Sequence, residues 1–146
     1  MIDYGYYSGM LSIGSELDSE TRETYTEGDC YLLALELHRL GLGELVAVID
    51  PTKPAGTRRD WTHMAVRTPE GYILDADGLN EPGLIRSNYG WPLAGDGAVE
   101  TISQEEYSVL IGGQSESIYG HAEVRIVALE LKGWLATLPP LAPLPA

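Results

Sequence analysis

The sequence predicts an α+β domain in which a central helix packs on a small antiparallel sheet. Two patterns carry this prediction: an apolar run of helix-forming residues over 30–40, and two adjacent strand-like segments over 62–68 and 72–77. The 146 residues match the size of one domain, and 44% of them are hydrophobic, which is enough to form a core. We therefore expect a single domain over 1–138 and a proline-rich tail over 139–146.

The first element is an N-terminal arm over 1–27, rich in Tyr, Gly, Ser and acidic residues. It shows no sustained helical period, which predicts irregular chain or weak strands over the surface. The central helix follows over 30–40, and its sequence is apolar on nearly every face, as is typical of an enclosed helix. Asp29 is the expected N-cap, and Gly41 with Gly43 should end the helix.

The sheet is expected to begin with a short apolar strand over 45–49. A hairpin should follow, with strands over 62–68 and 72–77. They are joined by Pro69-Glu70-Gly71, a three-residue turn with glycine at its left-handed position. The sequence thus predicts two neighbouring antiparallel strands in the middle of the chain.

The remaining elements are less regular. Residues 80–88 allow one helical turn, and 90–97 reads as a loop. Ser103 opens a capping box that predicts a short helix ending at Ile111. Residues 123–135 fit a helix on the spacing of their apolar positions or a strand on their alternation, and we favour the helix. The tail should be extended or disordered.

Charge and cysteine content narrow the possible partners. The chain carries 22 acidic and nine basic side chains, a formal net charge of -13, so it should repel nucleic acids and anionic membranes while remaining able to meet a basic protein surface. The apolar runs are shorter than the roughly 18 residues that span a bilayer. One cysteine cannot form an internal disulfide, and no signal-peptide pattern is visible, so we expect a reducing, cytoplasmic location.

The single cysteine, Cys30, lies in the first turn of the predicted central helix. The unpaired N–H groups and the positive dipole end of a helix favour thiolate over thiol, so this position suits a nucleophile. The alternative is that Cys30 is a small buried apolar residue.

Three histidines could serve such a thiol. His38 falls in the last helical turn, where capping or solvent explains it, and His121 lies in a glycine-rich stretch without an evident partner. His63 opens a strand, so its ring should project from the sheet edge, the firm support that a general base requires. The alternative is that His63 is a structural histidine whose ring is buried in the core with its hydrogen bonds satisfied there.

Two carboxylates end the returning strand. If the turn pairs Thr68 with Tyr72, counting back places His63 opposite Asp77, with Asp75 on the diagonal. Either carboxylate could then hold the imidazole and stabilise its protonated form. Ordinary turn chemistry beside Gly78 is the alternative role for both.

The order of these residues resembles the papain-like superfamily in its transglutaminase-like and arylamine N-acetyltransferase-like branches. The resemblance rests on Gly28-Asp29-Cys30 before an apolar helix, on Thr62-His63-Met64-Ala65-Val66, and on Tyr72-Ile73-Leu74-Asp75. It covers about a third to a half of the chain. It implies a papain-like fold and a Cys-His-Asp triad in which Asp75 is the third member, with Asp77 as substitute.

One feature departs from that pattern. Papain-like peptidases carry a Gln or a similar donor upstream of the cysteine to complete the oxyanion hole, whereas no Gln or Asn precedes Cys30. The backbone amide of Cys30 would supply one bond, and Tyr25, Thr26 or another backbone amide the second.

The expected activity is acyl transfer or hydrolysis through a thioester on Cys30, as in a peptidase, isopeptidase, deamidase or transglutaminase, acting on a protein or peptide. We expect no cofactor and no metal, since no nucleotide-binding or metal-binding motif is present. The alternative is a non-catalytic binding or structural protein on the same fold, such as a phage component or an inhibitor of a host system.

Overall fold

The computed structural model describes residues 4–7, 10–112 and 121–145. Within these ranges the chain has a mixed α/β architecture of five α-helices and one antiparallel sheet of seven strands. The strands are β1 (Tyr4–Tyr7), β2 (Met10–Gly14), β3 (Glu44–Ile49), β4 (Trp61–Arg67), β5 (Ile73–Asp75), β6 (Gly78–Asn80) and β7 (Ala98–Thr101). The helices are α1 (Ser19–Glu27), α2 (Cys30–Arg39), α3 (Pro82–Tyr89), α4 (Gln104–Ile111) and α5 (His121–Thr137).

The sheet has the strand order β1-β2-β6-β5-β4-β3-β7. The predicted hairpin is present as β4 and β5, with Val66 paired to Leu74, Arg67 paired to Ile73, and Gly71 at a φ of 99° in the turn. The sequence did not predict that β5 ends at Asp75. The chain turns there and returns as β6, which pairs with β5 and with β2.

The central helix is confirmed. Every residue of α2 from Cys30 to Leu37 is buried, because the helix lies against the sheet on one side and against α1 and α5 on the other. Leu33 and Leu37 are 1% and 0% exposed. An element enclosed on so many sides fixes the position of its first residue, Cys30, relative to the sheet.

A second, smaller apolar cluster lies on the opposite face of the sheet. In this cluster Ile85 of α3 packs on side chains of three strands. Neighbouring residues along these strands point to the other face of the sheet, towards α2. The strand residues in the cluster are Val46, Val48, Ala65 and Ile73. The sequence predicts only one turn over 80–88, but α3 runs for eight residues from Pro82. Both faces of the sheet are therefore covered by helices.

The N-terminal region, predicted over 1–27 as irregular chain or weak strands, contains the short strands β1 and β2, but it also contains the helix α1, which was not predicted. Strand β2 joins the sheet by pairing with β6, and α1 packs against α2. Helix α1 is capped by Asp18, whose side chain accepts a hydrogen bond from the Thr21 amide at 2.8 Å, and it buries only Tyr25. Because one buried residue makes no apolar stripe, helical periodicity could not reveal this element.

The later helices follow the prediction. Ser103 caps α4 by accepting a hydrogen bond from the Glu106 amide at 3.0 Å, and α5 is helical over the whole of 123–135. The second hydrogen bond of a capping box, from the Ser103 amide to the Glu106 carboxylate, is not formed. The carboxylate of Glu106 instead accepts a hydrogen bond from buried Arg59 at 2.7 Å, which ties α4 to the loop before β4.

The tail is irregular over 139–145 but is attached to the rest of the chain. The Leu144 amide donates to the Glu70 carbonyl at 2.8 Å, and the Tyr72 hydroxyl donates to the Ala142 carbonyl at 3.0 Å. No helix in the described ranges combines the length and apolar character needed to cross a membrane.

Candidate active site

Cys30 is the first residue of α2 and is 2% exposed. The Asp29 side chain makes no capping hydrogen bond, and the Asp29 carbonyl accepts from the amides of Leu32 and Leu33. The amides of Cys30 and Tyr31 have no acceptor within the helix, since they precede its first hydrogen-bonded turn. Two N–H groups therefore lie beside the thiol, where they favour negative charge.

His63 lies on β4 with its ring fully buried, and it contacts Asp75. Its Nε2 donates to Oδ2 of Asp75 at 2.8 Å, and Oδ1 of the same carboxylate accepts from the Asp77 amide at 2.9 Å. Both oxygens of Asp75 are thus engaged, so the carboxylate orients the imidazole from a fixed position.

The second ring nitrogen of His63, Nδ1, is buried and meets no oxygen or nitrogen partner in the described part of the chain. Burial of the ring disfavours its protonated form, but hydrogen bonds to Asp75 and Cys30 and their charges outweigh burial and raise the pKa of His63 to about 9. Since Nε2 is committed to Asp75, Nδ1 is the ring nitrogen left to exchange a proton with the thiol.

Asp77 has a different position. Its side chain is exposed at the turn between β5 and β6. In the described part of the chain, no hydrogen bond joins Asp77 to His63. Partial burial and the charge of Asp75 raise the pKa of Asp77, against opposing effects of Arg22 and His63. The structure therefore brings Cys30, His63 and Asp75 together. Asp77 contacts Asp75 through its backbone amide.

Sequence reasoning missed Tyr89, the last residue of α3. Its ring stacks on the imidazole of His63, with centroids 3.8 Å apart and planes 3° from parallel. Burial raises the pKa of Tyr89, and the charges of Asp75, Asp77 and Cys30 add to that effect. No local motif marks this tyrosine, because its position depends on how α3 crosses the sheet.

The other residues considered from the sequence lie elsewhere or have other partners. His38 contacts the Gly43 carbonyl through Nδ1 at 2.8 Å, a capping role at the far end of α2, and the His121 side chain lies outside the described part. Thr26 donates to the Arg22 carbonyl within α1 at 2.8 Å, so its hydroxyl is already engaged. Tyr25 is buried in the same core cluster as Cys30, and burial raises its pKa to about 12.

Within the described ranges, no group of three or more His, Cys, Asp or Glu side chains has an arrangement that could hold a metal ion. Comparison of the chain with protein-family models, with curated proteins and with solved structures finds no match. The papain-like resemblance therefore rests on the residues quoted for it and stays a prediction.

Proposed function

We propose that this chain catalyses acyl transfer or acyl hydrolysis through a thioester on Cys30. The observation that carries the proposal is the buried hydrogen bond of 2.8 Å between His63 and Asp75, together with the hydrogen bond of His63 to the side chain of Cys30, the first residue of α2. A buried imidazole held by a carboxylate next to a helix N-terminal cysteine is the arrangement that nucleophilic thiol catalysis requires.

In the proposed reaction, Nδ1 of His63 holds the proton given up by the thiol, as the raised pKa of this ring allows, and the sulfur of Cys30 attacks the carbonyl carbon of an amide or ester. The carbonyl oxygen gains the negative charge and is met by the backbone amides of Cys30 and Tyr31. The protonated His63 then gives its proton to the leaving amine or alcohol as the carbon–heteroatom bond breaks. Water or an amine finally attacks the thioester and gives its proton to His63, while the carbon–sulfur bond breaks and the sulfur of Cys30 leaves, which restores the site.

The substrate class follows from the resemblance to papain-like enzymes, which implies a protein or peptide. A thiol hydrolase with a cysteine-peptidase-like triad is the form of this activity that the residues support best. Asp75 orients His63 in this proposal, and Asp77 supports Asp75 through its amide.

A second candidate function is favoured by one observation. Cys30, His63 and Asp75 are each no more than 2% exposed, so a substrate reaches the sulfur only after neighbouring side chains move. A binding or structural protein on this fold, with an unused thiol site, would show the same burial.

An acylation experiment tests the proposal. Folded protein is mixed with p-nitrophenyl acetate, and acetyl transfer to Cys30 is followed by released p-nitrophenolate and by intact mass. We expect acetylation followed by loss of the acetyl group to water, both slowed by roughly 100-fold or more in His63→Gln. His38→Gln is the matched control and should behave as wild type. Equal rates in wild type and His63→Gln would leave the binding function as the better explanation.

A further inference from the structure

A polar cavity of about 270 Å3 adjoins the proposed thiol site. Its polar lining consists of Ser12, Arg22, Asp77, Asn80, Asn88 and Tyr89. Tyr89 stacks on His63, and the Asp77 amide bonds to Asp75, so two of its lining residues contact two members of the site. A group bound in this cavity would therefore contact residues that touch His63 and Asp75 directly.

Arg22 brings a positive charge to the cavity. One of its Nη groups donates to the Ser15 carbonyl, which anchors the guanidinium, while Nε is buried without a partner in the described residues. No described carboxylate lies within 4.0 Å of this guanidinium, including Asp77 on the same cavity. Acidic residues far outnumber basic ones in this chain, so a guanidinium on this cavity without a carboxylate at ion-pair distance is a specific feature, although its charge also acts on Asp77.

Asn80 adds a second donor. Its amide oxygen Oδ1 accepts a hydrogen bond from the Ser12 hydroxyl at 2.6 Å, and the residue is 8% exposed. With the oxygen engaged, the Nδ2 group remains to donate. A guanidinium and an amide N–H on one cavity match a carboxylate, which accepts several hydrogen bonds and carries the opposite charge.

We propose that this cavity binds a carboxylate of the substrate, through Arg22 and Asn80, while Cys30 attacks a neighbouring carbonyl. The substrate class is then an acidic peptide or an acylated amino acid with a free carboxylate. This proposal rests on the proposed function, because it assigns substrate selection to the same thiol site.

Two alkylating reagents of similar size test the proposal, because iodoacetate carries a carboxylate and iodoacetamide does not. In both reactions the sulfur of Cys30 forms a bond to the methylene carbon, the carbon–iodine bond breaks, and iodide leaves. The measured quantity is the ratio of the iodoacetate rate to the iodoacetamide rate, relative to the same ratio for glutathione.

We expect the ratio to exceed that of glutathione despite the negative net charge, and to fall several-fold in Arg22→Gln. Arg22→Lys keeps the charge and should retain most of the preference. Lys132→Gln removes the same charge from an exposed position on α5 and should leave the ratio unchanged. Asn80→Asp keeps an oxygen that accepts the hydrogen bond from Ser12 but replaces the amide donor by a negatively charged oxygen. This variant should therefore lower the ratio, and it tests the site independently if Arg22→Gln fails to fold.

An unchanged ratio in both Arg22→Gln and Asn80→Asp would overturn the carboxylate site, as would an equal fall in Lys132→Gln. Failure of the proposed function gives a different result. If the proposed function is wrong, the alkylation rates of wild type and His63→Gln should be equal for each reagent, and this comparison does not depend on the iodoacetate-to-iodoacetamide ratio.

Discussion

At the residue scale, the point where β5 ends decides which carboxylate serves His63. The predicted register holds for the pairs Val66–Leu74 and Arg67–Ile73, and continuing it would place Asp77 opposite the histidine. The chain turns after Asp75 instead, so the diagonal neighbour Asp75 reaches the ring and Asp77 points to solvent. Diagonal side chains remain within reach of a long side chain on a twisted hairpin.

We predict that Asp75→Asn lowers the pKa of His63 towards its ordinary value of 6.5, because it removes the carboxylate that stabilises the imidazolium. Turnover should fall by about tenfold or more, since the amide also favours the wrong tautomer. Asp77→Asn is the matched control and should change both quantities little. NMR titration of the ring measures the pKa, and the reverse ranking of the two variants would transfer the role to Asp77.

The raised pKa of His63 also predicts a pH dependence of stability. The folded ring binds its proton up to about pH 9, whereas the unfolded ring releases it near 6.5. The stabilisation is therefore fully present below pH 6.5 and is lost as pH rises through 9, a loss on the order of a few kcal/mol. Urea unfolding from pH 6 to 10 measures it. His63→Gln should lack this component, and identical slopes in the two proteins would contradict it.

At the element scale, α2 and α1 show when the local sequence pattern is sufficient to predict a helix and when it is not. Helix α2 combines strong helix formers with glycines after its end, and the expected bounds of 30–40 differ from the observed ones by one residue. Helix α1 has no apolar stripe, and its capping aspartate stands among other acidic residues, so nothing distinguished it from a loop. Strands β6 and β7 are three and four residues long, too short to show alternation.

Enclosure of α2 predicts a large cost for shortening its core side chains. Leu37→Ala should lower the free energy of unfolding by about 2–5 kcal/mol, because Leu37 is 0% exposed and its loss opens a cavity. Leu129→Ala makes the same change on α5 at a position 49% exposed and should cost less than about 1 kcal/mol. Chemical denaturation of both variants compares them, and equal costs would mean that α2 is not enclosed.

At the scale of the whole molecule, the tail fastens α5 to the β4–β5 turn. Leu141 and Leu144 pack on the main core, and the prolines of this segment limit the conformational entropy that is lost when it is held. The contact lies at the end of β4 opposite to His63, so it stabilises the sheet without touching the thiol site.

We predict that Tyr72→Phe weakens this attachment. The variant loses the hydrogen bond to the Ala142 carbonyl, which should cost about 1 kcal/mol and speed hydrogen exchange at the Leu144 amide. The rate of Cys30 alkylation should not change. Unaltered exchange at Leu144 would show that the tail is held by its leucines alone.

The amino-acid sequence by itself determined the central helix, the β4–β5 hairpin, the helix cap at Ser103 and the candidate residues Cys30, His63, Asp75 and Asp77. These follow from local chemistry: side-chain period, turn residues and helix-end preferences act over a few neighbouring positions. Only the tertiary structure decided that Asp75 rather than Asp77 bonds His63, that Tyr89 covers the imidazole, and that Arg22 lines the adjacent cavity. Each of these depends on where separate elements cross, and no local pattern records the distance between residues far apart in the chain.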